Sequence, residues 1–346
     1  MNEEINLLSL EKIKGLLTAQ NRGRQEALYR SARRICAENC GSKVLLRGIV
    51  EFSSYCRNTC MYCGLRSQNT GAHRYRLTAD EIVFAVEELV GLGVGTVVLQ
   101  SGEDPELSPD WVATLIERIK KSCDIAVTLS LGEWPASFYR KWRSAGADRY
   151  LLKIESTDQD LYRALHPGMD YQNRLRCLED LERLGYQTGS GIIVGLPGQS
   201  VESIAGDLKF LAHHDFDMIS IGPFIPHPQT PLASYPAGSI EMTCKAIAIT
   251  RSLTKNTHIP ATSALAATRP DQRYRGLLAG ANVIMPNFTP PSSARYYDIY
   301  PHAARTAPER PDPLLQAIDQ IRRAGRETAY FARGDSLKRK KEYSHE

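Results

Sequence analysis

VLLRGIVEFSSYCRNTCMYCGLR, residues 44–66, runs from an aliphatic, β-rich stretch straight into a loop with three cysteines. The first nine residues (44–52) read as a strand, and Arg47 and Glu51, four apart, share one of its faces. The same change of pattern repeats along the chain. Strands are expected at 44–52, 95–101, 124–131, 147–155, 186–195, 216–222, 259–265 and 281–286. Helical segments such as TADEIVFAVEELVGLG (78–93) and SVESIAGDLKFLAHHD (200–215) separate them. Strands alternating with helices imply parallel pairing through right-handed crossovers, and eight is the number that closes a barrel. The expected fold is therefore α/β, a complete (β/α)8 TIM-type barrel over residues 43–300. The segments INLLSLEKIKGLL and RQEALYRSARRICAEN, within residues 1–42, show helical periodicity and are expected to cap one end. Residues 301–346 are expected to form a tail with one more helix, DPLLQAIDQIRRAG, and a frayed basic terminus, SLKRKKEYSHE.

Composition excludes several classes. The chain of 346 residues has 42% hydrophobic and 24% charged residues, enough for a full core and too few low-complexity stretches for disorder. Its 43 basic and 39 acidic residues leave a net charge of +4, too small and too evenly spread for a nucleic-acid footprint. The acidic, amphipathic start carries no export pattern, and no apolar run reaches the ~20 residues of a membrane span. Eight scattered cysteines do not resemble a disulfide framework, and a reducing cytoplasm suits them. Five of them, Cys36, Cys40, Cys123, Cys177 and Cys244, read as structural thiols.

Alternation gives the strand faces. In ADRYLLKIE (147–155) Tyr150, Leu152 and Ile154 suit the helix layer, so Arg149, Lys153 and Glu155 point into the barrel. Charges there must be paired or bind something. One reading is an internal ion-pair network; the other, preferred because Thr128 and Ser130, Thr188 and Ser190, and Thr262 and Ser263 add polar inward positions, is a cavity for an anionic ligand. Arg149, Lys153, Thr262 and Ser263 are its candidate contacts.

Three readings compete for Cys56, Cys60 and Cys63: unconnected buried thiols, a zinc site completed by His73, or an iron–sulfur cluster. Zinc favours closed tetrahedral sites with paired knuckles, whereas a cubane takes one thiolate per iron. Three thiolates leave one iron open to a small molecule.

The spacing C-x3-C-x2-C at the end of a barrel's first strand resembles the signature of the radical S-adenosylmethionine (SAM) superfamily. That resemblance implies a [4Fe-4S] cluster on Cys56, Cys60 and Cys63, with SAM on the open iron. It also implies roles for Tyr62 near the adenine, for the acidic turn Ser101-Gly102-Glu103-Asp104 at the SAM amino group, and for Gln100 just before it. Ser130, and Gly195 in GIIVGLPGQS, join the expected cofactor contacts; Glu155 and Arg174 correspond to the pair on the SAM carboxylate and ribose side.

Longer phrases (VLQSGEDP, VTLSLGEWP, VGLPGQS, DFDMISIGPFIPHPQTPLA, GANVIMPNFTP) resemble the HydE family of [FeFe]-hydrogenase maturases from about residue 20 to about residue 300. The resemblance implies reductive cleavage of SAM to a 5′-deoxyadenosyl radical that acts on a small, sulfur-bearing, organometallic substrate. It also implies an external reductant such as flavodoxin or ferredoxin, HydG and HydF as companion maturases, and a monomer. Two features depart from the family. PHAARTAPERPDPLL has no cysteine, so no auxiliary C-terminal cluster is expected, and Lys153-Ile154-Glu155 stands where the family has Arg-His-Glu. Lysine lacks the planar fork of arginine, so the substrate can differ. Rival readings are a mutase resembling methylornithine synthase, a HydE-like paralogue with another substrate, and a cluster scaffold without turnover.

Overall fold

The computed structural model describes residues 8–267, 272–301 and 312–338. After helices α1 (Leu10–Leu17) and α2 (Arg22–Cys40), the chain alternates β1 (Lys43–Leu46), β2 (Gly48–Ser53), α3 (Ala79–Gly91), β3 (Thr96–Ser101), α4 (Pro109–Ser122), β4 (Ala126–Ser130), α5 (Ala136–Ser144) and β5 (Arg149–Leu151). It continues with α6 (Gln159–Leu165), α7 (Tyr171–Arg183), β6 (Gln187–Val194), α8 (Val201–His213), β7 (Met218–Pro223), α9 (Ile240–Thr254), β8 (Pro260–Ala261), α10 (Arg273–Leu278) and β9 (Val283–Ile284). A C-terminal helix (Pro313–Arg323) and β10 (Glu327–Ala329) follow.

All strand pairs are parallel, in two sheets ordered β2-β3-β4-β5-β6-β7 and β10-β1-β9-β8. Both edges are stitched. The β1–β2 run is broken only at Arg47, and Ile49 bridges to Asn287 beyond β9; on the other side Met218 bridges to His258 ahead of β8. The eight expected strand positions are thus present, wrapped by helices whose starts follow the local sequence. Thr78 and Glu81 form a reciprocal capping box on α3, and Ser200 Oγ accepts the Ser203 amide at the start of α8.

Several expectations need correction. The strand expected at 147–155 is regular only over Arg149–Leu151; the Ser190 hydroxyl takes the Ile154 amide, and Glu155 re-enters a bridge with φ +67°. The strand expected at 259–265 stops at Ala261, where Ser263–Ala266 turn into a 3-10 helix. The helices expected as a cap are α1 and α2. They lie along α8 and α9, where Lys245 donates to the Leu17 and Ala19 carbonyls.

The described part of the tail packs against the barrel. β10 pairs with β1, and residues 333–338 cross the N-terminal end of the barrel, while residues 339–346 lie outside the described ones. There the Arg149 guanidinium, fully buried, donates to Gln187, Thr96, the Arg333 carbonyl and Asp335. Ser336 donates to Asp217, and the Asp335 carbonyl meets His258. Arg149 is therefore a structural residue at the base and not an anion contact. The reason is position along the strand: an inward residue at the start of a barrel strand faces the lower end, where the ion-pair network sits. Arg149→Met is expected to destabilise the fold by about 2–4 kcal/mol, read as a lowered urea midpoint with iron loading unchanged.

Candidate functional site

At the C-terminal end of the strands lies a cavity of about 330 Å3, walled by Glu51, the cysteine loop, the β3 and β4 ends, residues 151–155, the β7 end and Thr262–Ala264. The loop after β2 is irregular, and its shape comes from side chains. Arg74 donates to the carbonyls of Ser54, Leu65, Arg66 and Asn69, so one guanidinium gathers four loop carbonyls. Gly64, next to Cys63, is needed for close approach: a Cβ there would lie 2.0 Å from the Asp298 carbonyl oxygen and 2.6 Å from His227 Nε2. His227 Nδ1 accepts the Gln229 amide, so its Nε2–H donates to Asp298, at 2.9 Å. The loop leans from the other side on the α6–α7 turn. The Met61 amide donates to the Leu165 carbonyl, and the Thr59 hydroxyl to the Pro167 carbonyl.

Cys56, Cys60 and Cys63 all line the cavity, and all three are free thiols. Burial raises each thiol above its ordinary value, Cys63 to about 12. Such thiols need a strong Lewis acid to ionise, which iron supplies. His73, the fourth ligand of the zinc reading, stacks on Tyr296 with ring centres 3.8 Å apart and takes no part in the cavity wall. Among the described residues no three His, Cys, Asp or Glu side chains close on a single-ion site. Three uncapped thiols around one cavity fit a body that takes each thiolate on a different iron.

The expected SAM contacts converge on the same space. Tyr62, Gln100, Ser101, Gly102, Glu103, Ser130, Glu155 and Arg174 all line it. Tyr62 donates its hydroxyl to His166 Nε2, 2.8 Å away, because the other ring nitrogen serves the Tyr162 carbonyl. Burial and the Arg174 charge lower the His166 pKa to about 3, so it stays a neutral acceptor. Gly102 lets the β3 end touch the cysteine loop: a Cβ would stand 2.2 Å from the Tyr55 oxygen and 2.7 Å from Cys56 Cβ. Glu103 accepts from Arg57 Nε at 2.6 Å and from the Glu133 amide at 2.7 Å. Its neighbour Asp104 is an anchor, bonded to Arg76 and Ser53.

Glu155 takes a left-handed backbone unusual for a side-chain residue, a conformation held at functional sites when the surroundings enforce it. Its Oε2 accepts from Lys153 Nζ at 2.8 Å. Arg174 does not pair directly with Glu155. It donates to Glu133, which also accepts from Asn173, and to the Lys153 carbonyl. Burial opposes its charge, but Glu133 holds it protonated.

Gly195 is absent from the lining; its space is filled by Gly238, whose Cα would be 2.5 Å from an added Cβ. Of the expected substrate contacts, Lys153, Thr262 and Ser263 reach the cavity and Arg149 does not. Ser263 is hydrogen-bonded to Tyr300, and Tyr297 and Tyr300 both form part of the wall. Glu133 and His166 were missed in the sequence. Glu133 stood in the quoted phrase SLGEWP, but an acid on a loop carries no signal of a partner 41 residues away.

Comparison with known proteins agrees with this geometry. Residues 50–211 match the radical SAM superfamily model. The chain is 49% identical to the [FeFe] hydrogenase maturase subunit HydE of Thermotoga maritima, over 84% of this chain and 83% of that protein. It is 29% identical to 3-methylornithine synthase of Methanosarcina acetivorans, over 96% and 93% of the two chains. The crystal structure of methylornithine synthase (PylB) superposes with a TM-score of 0.86 at 27% identity, covering 97% of this chain and 99% of that one. A cubane-ready cysteine loop on a parallel α/β barrel, with relatives of this kind along most of its length, places the chain in the radical SAM superfamily as a radical SAM enzyme of the HydE group.

Proposed function

We propose that the chain is a HydE-type enzyme of [FeFe]-hydrogenase maturation. The observation that supports this most is the meeting of Cys56, Cys60 and Cys63 with Glu103, Glu155 and Arg174 in one cavity, in a chain 49% identical to a HydE. A bound cluster would supply the single electron for reductive cleavage of SAM, yielding methionine and a 5′-deoxyadenosyl radical. The residues of the chain do the rest. The three thiolates would hold the cluster, and Glu103, Glu155 and Arg174 would orient the amino and carboxylate ends and the ribose of SAM. Tyr62, fixed by His166, covers the adenine side.

Tyr297, Tyr300 and Ile225 form part of the wall, and their apolar surfaces would shield a radical from water. Lys153, Thr262 and Ser263 face the remaining space and suit a small anionic, sulfur-bearing or organometallic substrate. The setting of the proposal is the cytoplasm, with flavodoxin or ferredoxin as electron donor, HydG and HydF as companions, the protein as a monomer, and no auxiliary C-terminal cluster. The stretch that lacks the auxiliary cysteines includes residues 302–311, outside the described ones. Among the described residues no helix is long and apolar enough to cross a membrane.

Anaerobic reconstitution is expected to load about four irons and four sulfides per chain, and dithionite with SAM to release 5′-deoxyadenosine and methionine. Added to a hydrogenase maturation mixture lacking HydE, the protein is expected to restore hydrogen evolution. Failure there with SAM cleavage intact would remove the hydrogenase reading and keep the enzyme. The near-complete superposition on PylB supports a second reading, a methylornithine synthase-like mutase. Release of 3-methylornithine in a substrate screen would favour it.

A further inference from the structure

The backbone turns sharply at Glu155. Its φ is +67°, and the Ser156 amide donates back to the Ile154 carbonyl at 2.9 Å, closing the rare γ-turn of positive φ around it. A side-chain residue keeps such a conformation only where its surroundings over-determine it. On the entry side β6 does the holding. The Glu155 amide donates to the Gly191 carbonyl, and the Glu155 carbonyl accepts the Ile193 amide. Past Glu155 the chain leaves the sheet, and a carboxylate from α8 takes over.

That carboxylate is Asp207, fully buried. Its Oδ1 accepts from the Thr157 amide at 2.5 Å and from the Thr157 hydroxyl at 2.6 Å, and the Ser156 hydroxyl lies 3.4 Å from both oxygens. Burial raises its pKa to about 6, so at neutral pH it only accepts. A carboxylate grips amide and hydroxyl donors more tightly than a neutral acceptor does. Its Oδ2 also takes a long contact of 3.5 Å from Gln199 Nε2. That nitrogen donates to the Ile193 carbonyl as well, while Gln199 Oε1 accepts the Gly195 and Leu196 amides. The bonds close a ring: Asp207 to Thr157, through Glu155 to Ile193, and through Gln199 back to Asp207.

We infer that Asp207 is a positioning residue for Glu155, fixing the turn that aims the Glu155 side chain at SAM. This role rests on Glu155 being a SAM contact, as proposed; Asp207 itself is absent from the cavity wall. Without the carboxylate, Ser156 and Thr157 lose their anchor. The strained turn then relaxes toward extended backbone and carries the Glu155 side chain off the cofactor.

The test uses the anaerobically reconstituted holoenzyme, with SAM titrated against the EPR spectrum of the reduced cluster and against the rate of 5′-deoxyadenosine release. Asp207→Ala is expected to raise the half-saturating SAM concentration about tenfold or more, with iron loading and the spectrum without SAM unchanged. Asp207→Asn keeps an oxygen for the two Thr157 donors and should bring that concentration back to within ~3-fold of normal. In a Glu155→Gln background Asp207→Ala should add less than ~2-fold, because the side chain it positions is already lost. Should Asp207→Ala fail to load iron, Thr157→Val cuts one bond to the same carboxylate, and a rise of ~3-fold is expected in its place. A normal SAM requirement in these variants, with only a lowered urea midpoint, would make Asp207 structural and overturn the inference, as would a full effect on top of Glu155→Gln. An unchanged requirement in Glu155→Gln alone would instead remove Glu155 as a SAM contact, and the role of Asp207 with it.

Discussion

Cys60→Ala is expected to leave a folded protein that holds less than a tenth of the normal iron and releases no 5′-deoxyadenosine. Cys60 is the middle cysteine of the loop and lines the cavity beside Cys56 and Cys63. Two remaining thiolates leave two irons without protein ligands, and a cubane so held is lost to solvent. The fold does not depend on this thiol. Among the described residues its sulfur makes one side-chain contact of hydrogen-bond kind, to the Met169 sulfur at 3.9 Å, and the loop is held by Arg74, Gly64 and the α6–α7 turn instead. The unfolding free energy of the apoprotein, read from its urea transition, should therefore change by less than ~1 kcal/mol. Retained SAM cleavage in Cys60→Ala would remove the cluster assignment, and a lost fold would show that the loop is structural first.

The contrast between Cys60 and Arg149 shows which parts of the site were legible in the sequence. Cys60 declares itself through spacing within one short loop, which survives translation into space because the loop is local. Glu103 was named through the family resemblance of the turn that follows β3, and Ser130 ends β4; strand ends on one side of a parallel barrel must meet. Arg149 obeyed the same alternation as Lys153, yet the two side chains face opposite ends of the barrel. Alternation fixes a face and leaves height along the axis undetermined. The tail residues that satisfy Arg149 lie 184 and 186 positions away, so no local pattern could name them. His166 and Glu133 were hidden likewise, since each works through a partner on another loop. Within the terminal stretch read as solvated (336–346), the described Ser336 and Lys338 find their partners at Asp217 and Asp215, likewise far off in sequence.

Arg174 offers the sharpest separation of fold from chemistry. Its guanidinium bonds Glu133 on one side and the Lys153 carbonyl on the other, and all of this is buried against the cavity. Arg174→Gln strands Glu133 as a buried acid without its counter-charge, and loss of one partner of such a pair typically removes ~3–5 kcal/mol of stability. Any loss of SAM cleavage in that variant could then reflect a damaged fold. The double variant Glu133→Gln/Arg174→Gln removes both charges, and two amides of similar shape can bond one another in the same place. Most of the stability should return, because the desolvation cost of both ions disappears with their attraction. The SAM requirement should stay raised by about 100-fold or more, the scale of a lost charge-assisted contact to a carboxylate or ribose. If the double variant regained SAM affinity along with its urea midpoint, Arg174 would be a structural residue only. The carboxylate end of SAM would then have to be held by Lys153, the one other cationic side chain in the cavity wall among the described residues.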